Sequence, residues 1–161
     1  MIETISPLGF SEAINAAASK IFQIKGRSRR SEFWWTHMIV YITTVTLTPF
    51  VGSILSMLTI PLKIRRLHDT GRSGWWWGVG ALIKVFLFIS LFYDAVMLAI
   101  NGYDVTEYET IFMNTLVLKY ILIVMCIGIY DIIFLILCCF DSEPTENKYG
   151  PSPKYIEKEI I

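Results

Sequence analysis

The sequence predicts an all-α, polytopic membrane protein with four crossings, a short hairpin followed by a long one, after an N-terminal amphipathic helix. Hydrophobic residues make up 54% of its 161 residues and charged residues only 17%, whereas soluble domains carry roughly 25% charged residues. Segment 33–62 has no Asp, Glu, Lys or Arg, and segments 73–103 and 110–140 have two each. Each segment exceeds the roughly 20 residues that cross a bilayer core.

The first 25 residues are expected to contain the amphipathic helix. It is predicted over residues 6–24, with Ser6 as the N-cap and Pro7 in the first turn, where a missing N–H is tolerated. Small and branched apolar residues recur on one face at helical spacing. This helix is expected either to lie in the membrane interface or to dock against the other helices.

Segment 33–62 is too long for one upright crossing, because thirty helical residues rise roughly 45 Å at about 1.5 Å each. Pro49, with Gly52 and Ser53 close behind it, supplies a break near the midpoint. Basic residues flank both ends of the segment and favour the same side for both. We predict short spans at about 33–48 and 50–62, with a re-entrant hairpin as the alternative.

The second half predicts two longer spans, at about 75–100 and 111–140. The loop between them carries three acids and no base, which places it outside under the positive-inside rule. The membrane domain is then 26–140 and the tail 141–161 is cytoplasmic, with Lys148, Lys154 and Lys158. Both termini are predicted to be cytoplasmic.

The net charge of zero conceals a basic cluster around the first apolar segment. Nine of the fourteen basic residues lie there, and only Glu32 and Asp69 interrupt them. Lys and Arg beside membrane spans usually mark the cytoplasmic side and attract anionic lipids. We therefore expect membrane lipids, including anionic ones, as partners, and no nucleic acid.

Four charged residues lie inside the later apolar segments, where ionisable groups are costly. In an antiparallel hairpin, two residues at equal depth have residue numbers that add up to nearly the same value (their index sum). This rule pairs Asp94 with Lys119 and Lys84 with Asp131. Both pairs centre the turn near residue 107. The pairs are either structural bridges or part of a polar path for a proton or ion.

Segment 65–76, Arg-Arg-Leu-His-Asp-Thr-Gly-Arg-Ser-Gly-Trp-Trp, is the most unusual part of the chain. Together with segments 26–34 and 147–153 it resembles the domain of unknown function 805 family, the YhaH/YhaI-like bacterial inner-membrane proteins. The resemblance implies a multi-pass protein of the bacterial cytoplasmic membrane and leaves its biochemical activity open. The stretch between Trp34 and Arg65 is shorter than the usual pattern, and the region after Trp77 is longer.

These motifs place basic, acidic and aromatic residues at one membrane face. The candidates for binding an anion or a partner are Arg27, Arg30, Glu32, Arg65, Arg66, His68, Asp69 and Arg72. Such a cluster either binds an anionic headgroup through bidentate guanidinium contacts or holds the turns together through internal Arg–carboxylate pairs. The tryptophans are predicted to be interfacial anchors: Trp34, Trp35, Trp75, Trp76 and Trp77.

The adjacent His68 and Asp69 do not make a metal or catalytic site by themselves. The other histidine, His37, lies in the first predicted span, and zinc normally takes three or four ligands. We expect no catalytic residue, no metal and no cofactor. The turn-rich segment 143–153 is hypothesised to fold back onto the arginines, with Glu143 or Glu146 supplying charge.

The expected function is that of a membrane protein without enzymatic activity. Its Arg/His/Trp face is expected to bind anionic lipid headgroups or a protein partner, and the chain is a candidate homo-oligomer. One alternative is a small oligomeric transporter or channel subunit that uses the Asp/Lys pairs. A more remote one is a membrane-embedded enzyme acting on headgroups.

Overall fold

The computed structural model describes residues 2–101 and 107–157. It contains six helices and two short strands within those ranges. In chain order the elements are β1 (Ile2–Thr4), α1 (Phe10–Ser19), α2 (Arg30–Thr46), α3 (Pro49–Leu58), α4 (Ile60–Asp69), α5 (Trp75–Asn101), α6 (Glu107–Cys139) and β2 (Tyr155–Glu157). The chain divides into two compact units, one of residues 1–76 with 136–161 and one of residues 77–135.

Helix α1 begins at Phe10, later than the predicted start at Ser6. Gly9 is the N-cap, and its backbone N–H donates to Oε2 of Glu12 at 3.0 Å. The carboxylate of Glu12 therefore satisfies a donor at the helix start, where backbone N–H groups have no partner within the helix. The predicted Ser6 cap is wrong: the carbonyl of Ser6 instead accepts from Arg29 at 2.8 Å.

Helix α1 packs on α2. The face that it buries carries Ala13 and Ala17, whose small side chains allow the two backbones to approach closely. Phe10 meets the ring of Trp35 edge to face, with 5.4 Å between the ring centroids. Of the two predicted arrangements, lying in the membrane interface or docking against other helices, the structure therefore has the second: α1 docks on α2.

The predicted break at Pro49 is present. Helix α2 ends at Thr46, and the hydroxyl of Thr48 caps α3 by accepting from the backbone N–H of Val51 at 3.2 Å. A Cβ added to Gly52 would overlap the side chain of Thr44. Glycine at this position therefore permits the close approach of α3 to α2.

A second break separates α3 from α4 at Thr59, so the predicted span at about 50–62 is divided between two helices. Pro61 explains it, because proline lacks the N–H that would donate to the carbonyl of Met57 and its ring crowds that carbonyl. Pro61 is instead accommodated in the first turn of α4. Helix α4 then carries the central motif as far as Asp69.

The sequence did not predict the strand pair β1–β2. The two strands run antiparallel, with Glu3 opposite Ile156 and Thr4 opposite Tyr155. The N–H of Ile5 extends this contact by donating to the carbonyl of Lys154 at 2.8 Å. The pairing fastens residues 2–5, which precede the predicted helix over 6–24, to the tail.

Helices α5 and α6 cover the two longer predicted spans. Within them, Trp75–Met97 and Asn114–Cys139 are long and apolar enough to cross a membrane, and only 6% and 17% of their most apolar stretches are buried. The acidic loop and its turn fall largely on residues 102–106, which lie outside the described residues, as does Lys158. The two helices meet at Gly80, where an added Cβ would overlap the ring of Tyr130.

Candidate functional site

Five of the eight predicted binding residues meet in a buried cluster rather than on an open face. Three guanidiniums and two carboxylates form what we call the arginine cluster: Arg27, Arg65, Arg66, Glu32 and Asp69. All five are buried. The cluster joins the loop before α2, the helices α2 and α4, and the chain that follows α6.

Asp69 lies at the centre of the cluster. Its Oδ1 accepts from Nε of Arg27 at 3.0 Å, and its Oδ2 accepts from Arg66 and from the hydroxyl of Ser142. Its backbone carbonyl accepts from the N–H of Glu143 at 3.0 Å. A fully buried carboxylate is tolerated here because charged and neutral donors surround it.

Arg27 binds the tail through backbone carbonyls. Its NH2 donates to the carbonyl of Glu143 at 2.5 Å, and its NH1 to those of Thr145 and Gly150 at 2.9 and 3.3 Å. The tail therefore folds onto the cluster, as hypothesised. The hypothesis was wrong about the acceptor, because the Glu143 carboxylate accepts from Asn147 and Glu146 is exposed.

Arg66 caps the C-terminal end of α6. Its Nε donates to the carbonyl of Cys138 at 3.0 Å, its NH2 to that of Phe140, and its NH1 to that of Ser28 at 3.2 Å as well as to Asp69. Carbonyls at a helix C-terminus lack partners in the helix and carry partial negative charge. Burial lowers the pKa of Arg66 and the Asp69 carboxylate opposes that shift.

The donors of Arg27 and Arg66 are thus occupied by the protein itself. Both side chains are almost fully buried. The predicted exposed anion-binding face therefore does not include them, and they act as internal ties between distant segments.

Arg65 differs from the other two arginines. Its NH2 donates to Oε1 of Glu32 at 3.2 Å, and its side chain is 1% exposed. Within the part of the chain that the structure describes, its Nε and NH1 have no hydrogen-bond partner. Burial lowers the pKa of Arg65, Glu32 opposes that shift, and the guanidinium stays protonated at neutral pH.

Arg65 also lines a cavity of about 160 Å³. The rest of the lining comes from α1, α2 and the α3–α4 segment and is apolar except for the hydroxyls of Thr36 and Thr59. Both hydroxyls donate to carbonyls of their own chain segments, those of Glu32 and Ser56. We call this space the Arg65 cavity.

His68 is fixed beside the cluster. Its ring stacks on that of Tyr149 at a centroid distance of 3.7 Å, and its Nδ1–H donates to the carbonyl of Gly26 at 3.2 Å. Gly26 has φ +97°, a conformation that side-chain-bearing residues rarely adopt. Burial lowers the pKa of His68, the bond to Gly26 opposes this, and nearby Lys148 adds to it.

The remaining predicted basic residues lie at the edge of the cluster. Arg72 is half-buried, with its guanidinium 4.5 Å from the centroid of the Phe140 ring, and Arg30 is exposed. The predicted anchors divide by exposure: Trp34, Trp35, Trp75 and Trp76 are exposed and Trp77 is half-buried. Among residues 2–101 and 107–157, no group of three or more His, Cys, Asp or Glu side chains could hold a metal ion.

The charges of the apolar helices form two pairs, and these are the pairs that the index sums predict. Lys84 Nζ lies 2.5 Å from Oδ1 of Asp131, and Lys119 Nζ lies 2.5 Å from Oδ2 of Asp94. Lys84 and Asp131 keep 43% and 49% of their side-chain surface exposed. The pairs therefore join α5 to α6 on a surface of the helices.

Sequence reasoning missed several residues that hold the tail in place. Ser142 donates to Asp69, Asn147 donates to the carbonyl of His68 at 3.0 Å, and Arg29 donates to the carbonyl of Pro153 at 2.5 Å. Segment 147–153 was recognised as a motif, but nothing in its residue types signals that carbonyl groups would be the acceptors.

The fold and the cluster define a class: a helical protein in which a module tied by buried arginines is combined with two helices long and apolar enough to cross a membrane. Residues 43–151, about two thirds of the chain, match the family described as "Protein of unknown function (DUF805)". The chain belongs to this family, as the motifs predicted. Neither a curated protein nor a solved structure matches the chain significantly.

Proposed function

We propose that this chain is an integral protein of the bacterial cytoplasmic membrane that acts by binding membrane lipid and not by catalysis. In this proposal α5 and α6 cross the bilayer. The module of residues 1–76 and 136–161 lies at the cytoplasmic face, and the arginine cluster is its internal scaffold.

The observation that carries the proposal is the apolar surface of α5 and α6. Only 6% and 17% of the most apolar stretches of these helices are buried, whereas the core helices of a water-soluble domain are mostly buried. Lipid chains are the surroundings that such surfaces require. The basic residues of the module favour the cytoplasmic side for residues 1–30 and 141–157.

The short hairpin of α2 and α3 is proposed to enter the membrane from the cytoplasmic face and return to it. The ten residues of α3 rise only about 15 Å at about 1.5 Å each, half of a typical hydrocarbon core of about 30 Å. This length favours the re-entrant alternative over the predicted four full crossings. Both arrangements leave the ends of the hairpin on the same side.

An exposed basic and aromatic segment gives the module a surface suited to lipid headgroups. Phe22 is 84% exposed and Ile24 is 52% exposed, and Lys20, Lys25 and Arg30 nearby are exposed as well. Apolar side chains flanked by cations bind anionic bilayer surfaces, with about 1 kcal/mol for each basic residue near the surface.

Cysteine labelling tests the topology. In a variant whose native cysteines are replaced, single cysteines at Asp104, Thr48 and Ser152 are treated in intact cells with a membrane-impermeant maleimide. We expect labelling at position 104 from outside, and at positions 48 and 152 only after the cells are opened. Outside labelling at position 48 would show that the short hairpin crosses fully, and inside labelling at position 104 would refute the proposal.

Lipid binding is tested by native mass spectrometry of the full-length protein released from nanodiscs that contain phosphatidylglycerol and phosphatidylcholine. We expect retained phosphatidylglycerol that decreases when Lys20, Lys25 and Arg30 are changed together to Gln. Equal retention of both lipids by the wild type would contradict preferential binding of anionic lipid.

A transporter or channel subunit is the second candidate, and the exposure of the ion pairs favours it. The Lys119 and Asp94 side chains are 39% and 20% exposed, and such groups are costly against lipid. A groove of about 420 Å³ between α5 and α6 also reaches Lys119. A second copy covering this surface would remove the cost, so crosslinked dimers through α5 would support this candidate.

A further inference from the structure

We propose that the Arg65 cavity is a binding site for a single-chain anionic amphiphile, whose phosphate or carboxylate head bonds to Arg65 and whose hydrocarbon chain lies along the apolar lining. The inference deepens the proposed function and rests on it, because a membrane location supplies such molecules. The head of the amphiphile needs no contact with Arg30 or Arg72.

The first argument is the incomplete hydrogen bonding of Arg65. In the described residues its Nε and NH1 are buried without a partner, while NH2 is held by Glu32. A buried charged donor without an acceptor costs more than the donor–acceptor bond itself would contribute. Nε and NH1 point to different edges of the guanidinium plane, so each can donate its own hydrogen bond to an oxygen of a carboxylate or phosphate.

The second argument is charge. The arginine cluster contains three guanidiniums and two carboxylates. Asp69 contacts two of the guanidiniums, and Glu32 contacts the third through a single nitrogen. The cluster as a whole therefore has one more positive than negative charge, because Arg27 and Arg66 share Asp69. Arg65 is the member of the cluster whose donors are left free for an anion. A bound anion would balance the excess positive charge and accept hydrogen bonds from the free donors of Arg65.

The third argument is the shape and chemistry of the lining. Ile14, Ile21, Ile39, Val40, Leu55 and Leu58 present hydrocarbon to the cavity. Its volume of about 160 Å³ is close to the roughly 150 Å³ of an apolar cavity that accepts benzene, so it encloses only the part of the chain next to the head. The lining reaches from α1 to α3, the helix proposed to enter the membrane, so a chain can pass from the bilayer toward Arg65.

The experiment uses the full chain in a neutral detergent, dodecyl maltoside, with dodecyl phosphate as the probe and inorganic phosphate as the head without a chain. Native mass spectrometry counts bound molecules, and titration gives the apparent Kd. We expect one dodecyl phosphate per chain and no inorganic phosphate at the same concentration. If dodecyl phosphate and inorganic phosphate bind with equal affinity, the site recognises phosphate alone, and the proposal of an amphiphile is refuted.

Two variants test the two halves of the site. Arg65→Lys keeps the charge and a partner for Glu32 but loses the separate Nε and NH1 donors, so dodecyl phosphate should bind about tenfold more weakly or worse. Ala18→Phe places a ring at a residue that lines the cavity and should also weaken binding. Its effect decides the question even if Arg65→Lys fails to fold.

Each variant has a matched control outside the cavity. Lys148→Arg exchanges an exposed cation of the tail without changing its charge, and Asn15→Phe adds the same ring to an exposed position of α1. Both should bind dodecyl phosphate as the wild type does. Unchanged binding in Ala18→Phe, or loss of binding in Lys148→Arg, would overturn the proposal.

The topology labelling separates this inference from the proposed function. Outside labelling at position 104 together with wild-type dodecyl phosphate binding by both cavity variants would sustain the membrane protein and refute the cavity site. Inside labelling at position 104 would refute the membrane arrangement itself.

Discussion

Arg27 and Asp69 are 42 residues apart in the sequence, yet Nε of Arg27 lies 3.0 Å from Oδ1 of Asp69, and both side chains are buried. The pair connects the loop before α2 to the last residue of α4. Since Arg27 also donates to three carbonyls of the tail, this contact organises three segments of the chain.

Removing the charge of Asp69 should therefore destabilise the whole module. Asp69→Asn leaves Arg27 and Arg66 buried around a neutral amide, and breaking one side of a buried ion pair costs about 3–5 kcal/mol. We expect a lower unfolding temperature of the detergent-solubilised protein, measured by tryptophan fluorescence during heating.

The matched control is Asp141→Asn. Asp141 pairs with Lys154 at 2.5 Å, but its side chain is 48% exposed, and surface pairs of this kind contribute about 0–1 kcal/mol. The hydrogen bond from Lys154 lowers the pKa of Asp141, so the control is compared near pH 7, where that carboxyl is ionised. Equal losses in the two variants would contradict the central position of Asp69.

The stability of the module should fall as the pH is lowered through the range where histidine titrates. Burial lowers the pKa of His68 in the folded protein, so the unfolded chain binds more protons between the folded value and the unfolded value of about 6.5. The contribution of His68 is complete above that unfolded value and is lost as the pH falls toward the folded one. Unfolding temperatures at about pH 7.5 and 5.5 measure the loss, which cannot exceed about 1.4 kcal/mol per pH unit.

His68→Phe keeps an aromatic ring for Tyr149 and removes the titration. We expect its unfolding temperature to depend less on pH than that of the wild type, although the lost bond to Gly26 lowers it at every pH. His37→Phe changes the other histidine, which stacks on Phe33, and should keep the pH dependence of the wild type. If His37→Phe loses the pH dependence and His68→Phe keeps it, the group that titrates is His37.

Most helices could be predicted because their signals are local. The lengths of α5 and α6 follow from uninterrupted apolar composition, and Pro49 predicts the break after α2 through the chemistry of a single residue. The end of α3 was missed, although Pro61 carries the same signal, because residues 50–62 were interpreted as one span. The strand pair at Thr4 and Tyr155 was missed since its two partners are distant in sequence and each strand has only three residues.

The residues of the arginine cluster could also be predicted, but not their exposure. The sequence offered Glu32 and Asp69 as counter-charges, and the structure pairs both. Whether a guanidinium is buried depends on which carbonyls meet it, and the carbonyls around Arg27 and Arg66 belong to the tail and to the end of α6. Backbone acceptors are the same in every residue, so residue type cannot reveal them.

The Lys84–Asp131 pair should act as a structural link within the apolar helices. Asp131→Asn leaves Lys84 without its carboxylate in a segment where an isolated charge is costly, so the amount of protein in the membrane should drop severalfold. Replacing both residues with apolar ones, as in Lys84→Met with Asp131→Leu, removes the isolated charge and should restore it. Quantitative immunoblotting of membranes gives the measurement.

The control for this pair is Tyr120→Phe, a conservative change at an exposed residue of α6. Its amount in the membrane should match the wild type. A double variant that accumulates as poorly as Asp131→Asn would contradict the structural link and would favour a function that requires both charges.

Close contact of α5 with α6 at Gly80 should make that glycine sensitive to a single methyl group. A Cβ there would overlap the ring of Tyr130, so Gly80→Ala must separate the helices or displace the ring, at a cost of about 1–3 kcal/mol. Gly128→Ala is the matched control on α6, because nothing lies within 4 Å of its added Cβ and alanine favours a helix by about 1 kcal/mol over glycine. Heating in detergent should give a lower unfolding temperature for Gly80→Ala and an unchanged or higher one for Gly128→Ala. The same decrease in both variants would mean that the helices do not depend on this contact.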